Sequence, residues 1–232
     1  MKKIMNDPKA MQQQMLEGLA FAHQDRLERI DDTGIFVSKK RNESKVSLIS
    51  GGGSGHEPAH AGYVGFGMLD ACVCGPIFIP PSAEEIYHAI TLCDQGLGTL
   101  LIVKNFESDV MNFQKAMDRA KDAGFDVEMV LVNDDCSIEK ESFKKRRRGV
   151  AGTVFVHKIL GAAAQEGLSL QELKVLGDQV VHASNTLGVA LEAGIYPGKD
   201  QPQFSLASDE ISFGVGIHGE EGYRVEPLQS SE

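Results

Sequence analysis

Between Lys45 and Glu166, short apolar runs of β character alternate with segments of helical period. This rhythm restricts the fold more than any other feature of the chain. The clearest run is Thr99-Leu100-Leu101-Ile102-Val103, apolar and partly β-branched, as a strand covered on both faces requires. Lys45 to Ile49, Ala71 to Cys74 and Val127 to Val132 read the same way. The intervening segments carry helix punctuation. Ser82 is a good N-cap, with Glu85 three residues on as its capping-box partner, and Gly96 and Gly98 end that helix. Asp109 to Ala123 runs to Gly124, and Gly152 to Glu166 runs to Gly167. Such alternation predicts an α/β fold, a mostly parallel sheet with helices on both faces.

The flanks are read more coarsely. Met11, Met15, Leu16, Leu19 and Ala20 predict a helix over Asp7 to Ala22, and Gly34 to Val37 a short strand. Ser169 to Glu192 reads as mostly helical; Phe204 to Leu206 and Ile211 to Ile217 alternate like strands. The main α/β unit is expected over residues 1–190, with 191–232 beginning a second, incomplete unit.

In parallel α/β sheets ligands bind where strands end. Three strand-end loops are therefore candidates: Ser50 to His60, Lys104 to Asp109, and His218 to Gly222. The first holds Gly51-Gly52-Gly53-Ser54-Gly55-His56-Glu57-Pro58. Glycine permits close backbone approach and positive φ, and a histidine moves protons near neutral pH. The run is not a Walker A loop, because no Lys-Ser or Lys-Thr closes it, nor is it G-x-G-x-x-G. A tight strand-to-helix crossover is the plain alternative. His56 and His60 are four apart, a spacing used for metal, but Pro58 lies between them and the order of H-E-x-x-H is absent. Asp109 reads equally as an N-cap or as a base at a strand terminus. His218, set in Gly216-Ile217-His218-Gly219, suits a ligand loop better than a core.

Of the 232 residues, 42% are hydrophobic and 24% charged, and the formal net charge is −10. That balance argues against nucleic acid or an anionic membrane as main partner. One basic cluster, Lys144 to Arg148, runs against the trend; a solvated face is the reading favoured for it. No apolar run approaches the ~20 residues of a membrane span, and no signal-peptide core follows the N-terminus, so a cytoplasmic protein is expected. Cys72, Cys74, Cys93 and Cys136 form no zinc pattern and read as reduced thiols, mostly buried.

Taken together, several long motifs resemble the substrate-binding K subunits of the bacterial dihydroxyacetone kinases. They are Gly51 to Pro58, Gly67-Met68-Leu69, Lys104-Asn105, Asp109 with Asn112-Phe113, Asn133-Asp134-Asp135, Arg147 to Val154 and Phe213 to Glu220, in order along nearly the whole chain. The resemblance implies that His218 attacks the ketone carbon of dihydroxyacetone to form a hemiaminal. This selects ketones and aldehydes over glycerol. It implies that Gly53, Ser54, Gly55, His56, Lys104, Asp109 and His218 bind the substrate, with Asp109 as base for the attacking hydroxyl and His56 as the other acid/base group. It further implies no cofactor or metal on this chain. ADP or ATP with magnesium sits on a separate L-type subunit, rephosphorylated in phosphotransferase-system versions by a phosphocarrier protein. The product is dihydroxyacetone phosphate and the assembly is a homodimer.

The chain also departs from the family pattern. Phe106-Glu107-Ser108 stands where kinase members commonly read Tyr-Thr-Gly; Lys145-Arg146 precede Arg147-Arg148-Gly149; Pro76 and Pro80 replace acidic and serine residues. Family K subunits continue beyond the point matching Glu232, so a fragment or truncated chain is expected. Altered docking loops around retained substrate residues also suit a non-catalytic co-activator, which binds dihydroxyacetone and a transcription regulator.

Overall fold

The structure, a computed structural model, describes residues 4–138 and 146–230. Its centre is a six-stranded sheet of order β1-β2-β4-β3-β5-β6. The strands are β1 (Leu27–Arg29), β2 (Ile35–Ser38), β3 (Ser47–Ser54), β4 (Ala71–Ile77), β5 (Thr99–Lys104) and β6 (Val127–Val132). β3 pairs in parallel with β4 and β5, and β5 with β6. β1 and β2 close one edge antiparallel. The expected mostly parallel α/β sheet is present.

Alternation along β5 explains the two layers. Leu100 and Ile102 join a core with Leu16 of α1 (Met11–Ala22), Val156 and Leu160 of α4 (Thr153–Gln165), and Leu173 of α5 (Leu170–Ala183). Leu101 and Val103 face the opposite way, against Ile86 and Ile90 of α2 (Ala83–Cys93) and Phe113 of α3 (Glu107–Asp122). Ser82 caps α2 with the full capping box to Glu85. Ser169 and Glu172 repeat the device on α5. No helix among the described residues is long and apolar enough to cross a membrane.

Several expectations are corrected. Gly51, Gly52 and Gly53 of the first motif lie inside β3, which runs to Ser54 and is buried throughout. They are thin rather than flexible: a Cβ on Gly51 would sit 2.5 Å from Val73 O, and one on Gly53 would sit 2.5 Å from Ile79 N. Asp109 is not an N-cap. The cap position is Phe106, and Asp109 is the third residue of α3. Helix α5 stops at Ala183, because Ser184 turns extended. A second sheet follows, of β7 (Val189–Ala190), β8 (Glu210–Phe213) and β9 (Arg224–Pro227). Phe204 to Leu206 forms no strand, and β8 ends at Phe213 rather than Ile217.

The basic cluster is only partly a solvated face. Lys144 and Lys145 lie outside the described residues, and Arg146 is exposed, but Arg148 is buried. Its guanidinium binds the Asp135 carboxylate at 2.7 Å. Asp134, beside it, accepts from the backbone of Val150 and Gly152 and from the Thr186 hydroxyl. The Asn133-Asp134-Asp135 motif thus ties the start of α4 and the chain leading to the second sheet to the end of β6. The four cysteines are free thiols, three buried and Cys136 exposed.

Candidate active site

Strand ends β3 and β5, the first turn of α3 and the loop after β8 converge on one place. Gly52 is the innermost wall. A Cβ there would lie 3.0 Å from Lys104 Nζ and 3.6 Å from Asp109 Oδ1, so only glycine leaves the pair undisturbed. Lys104 and Asp109 are both buried. Burial lowers the Lys104 pKa to about 8 against the opposing pull of Asp109. Burial raises Asp109 to about 6, opposed by Lys104 and by a helix backbone N–H. Asp109 Oδ1 has no hydrogen-bond partner. An unpartnered carboxylate oxygen with a pKa near neutrality is suited to accept a proton from a substrate hydroxyl.

His56 follows β3. Its Nδ1 donates to Gly53 O at 2.8 Å, leaving Nε2 as the unpartnered acceptor. Burial, then the charge of Lys104, lowers its pKa to about 3, so the ring is neutral and can take a proton. His218 arrives from the second sheet. Its ring stands 4.8 Å from His56, edge to face, and 4.7 Å from Phe106. Its pKa is lowered chiefly by burial, while Glu220 pulls it upward. A neutral imidazole at the mouth of such a site can act as a nucleophile.

The remaining sequence candidates are placed as follows. Gly53 supplies the carbonyl that fixes His56. The Ser54 hydroxyl is directed away into a bond to Gly75 O at 2.7 Å. Gly55 has φ +101°, and a Cβ there would meet the Phe78 ring at 2.5 Å. Glycine is therefore needed for backbone reasons at that position. His60 lines the same cavity as His56 but is paired with a different histidine. Its Nδ1 lies 3.0 Å from His157 Nε2, under the sheet end. Among the described residues no cluster of three His, Cys, Asp or Glu side chains is placed to hold a metal ion.

Sequence reasoning missed Gly52, Phe78 and His157. Phe78 stacks against His56 at 5.0 Å and against His218 at 5.6 Å. Its φ of +57° is a sparsely populated conformation for a large side chain, a signal only the backbone reveals. A cavity of about 240 Å³ extends from His56 and Lys104 to His60, His157 and Ile217. The site thus joins one cation, one carboxylate of raised pKa and the neutral His56 and His218, beside a small cavity that His56 and Lys104 line together with His60 and His157.

The sequence pattern of the Dak1 domain matches residues 17–232. The dihydroxyacetone-binding subunit of a phosphotransferase-dependent dihydroxyacetone kinase of Listeria innocua is 51% identical over the whole of this chain, which spans 70% of that protein. The operon co-activator DhaQ of Lactococcus lactis is 46% identical over 99% of the chain and 70% of its own length. Among solved structures, a co-activator Dha-DhaQ superposes with TM-score 0.89 at 47% identity, over 94% of this chain and 67% of the other. The dihydroxyacetone kinase of C. freundii superposes with TM-score 0.92 at 37% identity, over 99% of this chain and 43% of the other.

Proposed function

The chain belongs to the Dak1 domain family, and we propose that it is the dihydroxyacetone-binding subunit of a dihydroxyacetone kinase. The observation that carries this reading is the pairing of His218 with His56, both within the field of Lys104, which shares the wall formed by Gly52 with Asp109. In the proposed sequence, a ring nitrogen lone pair of His218 attacks the ketone carbon and the C=O π bond opens to an alkoxide. His218 then gives up its other ring proton and the alkoxide gains one, leaving a neutral hemiaminal. His56 stands beside it to carry that proton. The tether fixes a small, flexible molecule with few handles, as in other covalent positioning. Asp109 then takes the proton of the terminal hydroxyl as that oxygen attacks a phosphoryl group. The Lys104 charge offsets the negative charge that develops.

Nucleotide and magnesium belong to the partner in this reading. We assign ADP or ATP with magnesium to an L-type subunit, and dihydroxyacetone phosphate as product. Residues 191–230 serve as the segment that brings His218 to the main unit, and the active form is a homodimer. The test is assembly with an L-type subunit, magnesium, ATP or a phosphocarrier protein, and dihydroxyacetone. Triose phosphate should form with the native chain and not with Asp109→Asn. Failure with every L-type partner of its own locus overturns the kinase reading.

A second reading has support of its own. The similarity to the co-activator DhaQ nearly equals that to the kinase subunits, and Glu107 and Ser108 stand exposed beside the mouth of the site. In that reading the captured ketone is sensed and a transcription regulator is bound. Dihydroxyacetone-dependent binding to a regulator, without phosphoryl transfer, is its distinguishing result.

A further inference from the structure

His218 does not stand alone on its loop. The Glu220 carboxylate accepts the His218 backbone N–H at 2.9 Å through Oε2, and the same oxygen lies 3.9 Å from His218 Nδ1. Its other oxygen takes the Arg148 guanidinium at 3.2 Å. Arg148 is in turn anchored by Asp135 at 2.7 Å and Gly214 O at 2.5 Å. The backbone is shaped to admit this chain of charges: a Cβ on Gly216 would fall 1.8 Å from Glu220 Oε1 and 2.8 Å from an Arg148 nitrogen. The end of β6 thereby reaches, through Asp135, Arg148 and Glu220, the nucleophile of the second sheet.

We propose that Glu220, clamped by Arg148, is a positioning residue that selects the reactive tautomer of His218 and stabilises the charge it acquires on attack. The inference rests on the reading of His218 as the ketone-capturing nucleophile. With the ring proton on Nδ1, toward Glu220, the Nε2 lone pair is the one left to form the N–C bond. As that bond forms and the ketone oxygen becomes an alkoxide, the imidazole turns cationic. Loss of the Nδ1 proton, and gain of one by the alkoxide, returns both to neutrality. The carboxylate faces the nitrogen that carries the transient charge and proton. The 3.9 Å gap is longer than a hydrogen bond, and such contacts tighten once substrate is bound. Carboxylate partners of catalytic imidazoles act in this way, by orientation and electrostatics rather than by becoming the base, and Glu220 is half-buried. Arg148 holds the Glu220 carboxylate in place. An unclamped carboxylate would rotate freely and give the ring no preferred tautomer.

The charged and titratable groups facing His218 are Glu220 on its own loop, Arg148 before α4, Lys104 at the end of β5, and His56 after β3. Their signs give a test that a purely structural role would not meet. Glu220 raises the His218 pKa. Its removal therefore extends the neutral, nucleophilic form to lower pH while taking away the stabilisation of the attack.

The experiment follows the hemiaminal carbon by ¹³C NMR with [2-¹³C]dihydroxyacetone, using saturation transfer for the capture rate across pH. Glu220→Gln keeps size but loses the charge and one of the two acceptor oxygens. It should slow capture at the plateau by roughly tenfold to a hundredfold, the size of effect that removing the outer partner of a metal-bound imidazole has. Its acid limb should move to lower pH. Glu220→Asp should recover part of the rate and return the limb toward the native position. A native rate in Glu220→Gln, or a slower rate with an unmoved limb at unchanged melting temperature, overturns the proposal. If the native protein gives no hemiaminal carbon, or His218→Ala captures equally, the underlying assignment of His218 fails instead. The two failures are thus distinguishable.

Discussion

Replacing Asp109 by asparagine should make the protein more stable at neutral pH while abolishing phosphoryl transfer. The carboxyl has an ordinary pKa near 3.9 and one of about 6 in the folded chain. At 1.36 kcal/mol per pH unit the gap is about 3 kcal/mol. Between those two values the native state holds a proton that the unfolded chain has released. Stability therefore falls as pH rises through that window, and the loss is complete above about pH 6. The gap already includes the attraction of Lys104, because that charge lowers the pKa it is measured from. Asparagine does not titrate, and it resembles the protonated acid at a position where Oδ1 has no partner to lose. Urea unfolding of both proteins from pH 4 to 8 should show near-equal stability at the acid end. At pH 7 the variant should be ahead by about 3 kcal/mol, or about 6–12 °C in Tm for a chain of this size. A difference that does not change with pH, or a variant less stable at pH 7, would refute the assignment of Asp109 as a strained buried carboxylate.

Gly52→Ala places a Cβ 3.0 Å from Lys104 Nζ, the end of a flexible side chain; melting temperature should change little while ketone capture, read by ¹³C NMR, falls. Gly53→Ala meets the backbone of Phe78 and Ile79 at 2.5–2.7 Å, which cannot yield; it should cost about 1–3 kcal/mol in urea unfolding, the range of an overpacked core. Lys45 and Asp70 form an ion pair buried at both ends, so Lys45→Met should lose about 3–5 kcal/mol; adding Asp70→Asn should restore much of that, and no recovery in the double variant would contradict the pairing. Ser82→Ala removes the capping hydroxyl of α2 and should cost about 1 kcal/mol, seen as a 2–4 °C fall in Tm.

The sheet was legible because β5 is an apolar run buried in a parallel sheet, where a strand signals itself without alternation. Ser82-x-x-Glu85 was legible because capping is local chemistry. Other features depend on partners distant in sequence. β1 and β9 are short and edge-like, and the periodicity that marks a core face is missing from three or four residues. Helix α5 was overextended because Leu187 to Leu191 continues an apolar pattern that the second sheet uses instead. The glycine run marks the site in the sequence, but its place inside a packed strand does not show there. Nothing in Gly51-Gly52-Gly53 tells a flexible loop from a strand squeezed between Val73, Lys104 and Ile79. Arg148 was hidden in a basic run for the same reason: its carboxylate partners lie 13 and 72 residues away.

The departure at Phe106-Glu107-Ser108 takes on a different weight once α3 is placed. Glu107 is the first residue of that helix and is exposed, and the cap residue Phe106 offers no side-chain bond to the free backbone N–H groups. A carboxylate there stabilises the helix end by typically 0.3–1 kcal/mol. The substitution thus has a local cause that is indifferent to any nucleotide. Phe106 keeps an aromatic edge against His218 at 4.7 Å, so the wall of the ketone chamber is preserved on that side. Under the two proposed readings, the difference between a kinase subunit and a sensor would lie at the outer rim of the site, where a partner would bring a triphosphate within reach of Asp109. An added negative charge at that rim opposes a phosphate across water, and salt within a Debye length of ~8 Å weakens the opposition. On the proposed kinase reading, Glu107 would tune the rate at which a nucleotide-bearing partner engages, while capture of the ketone would depend on Lys104 and Asp109, buried behind it.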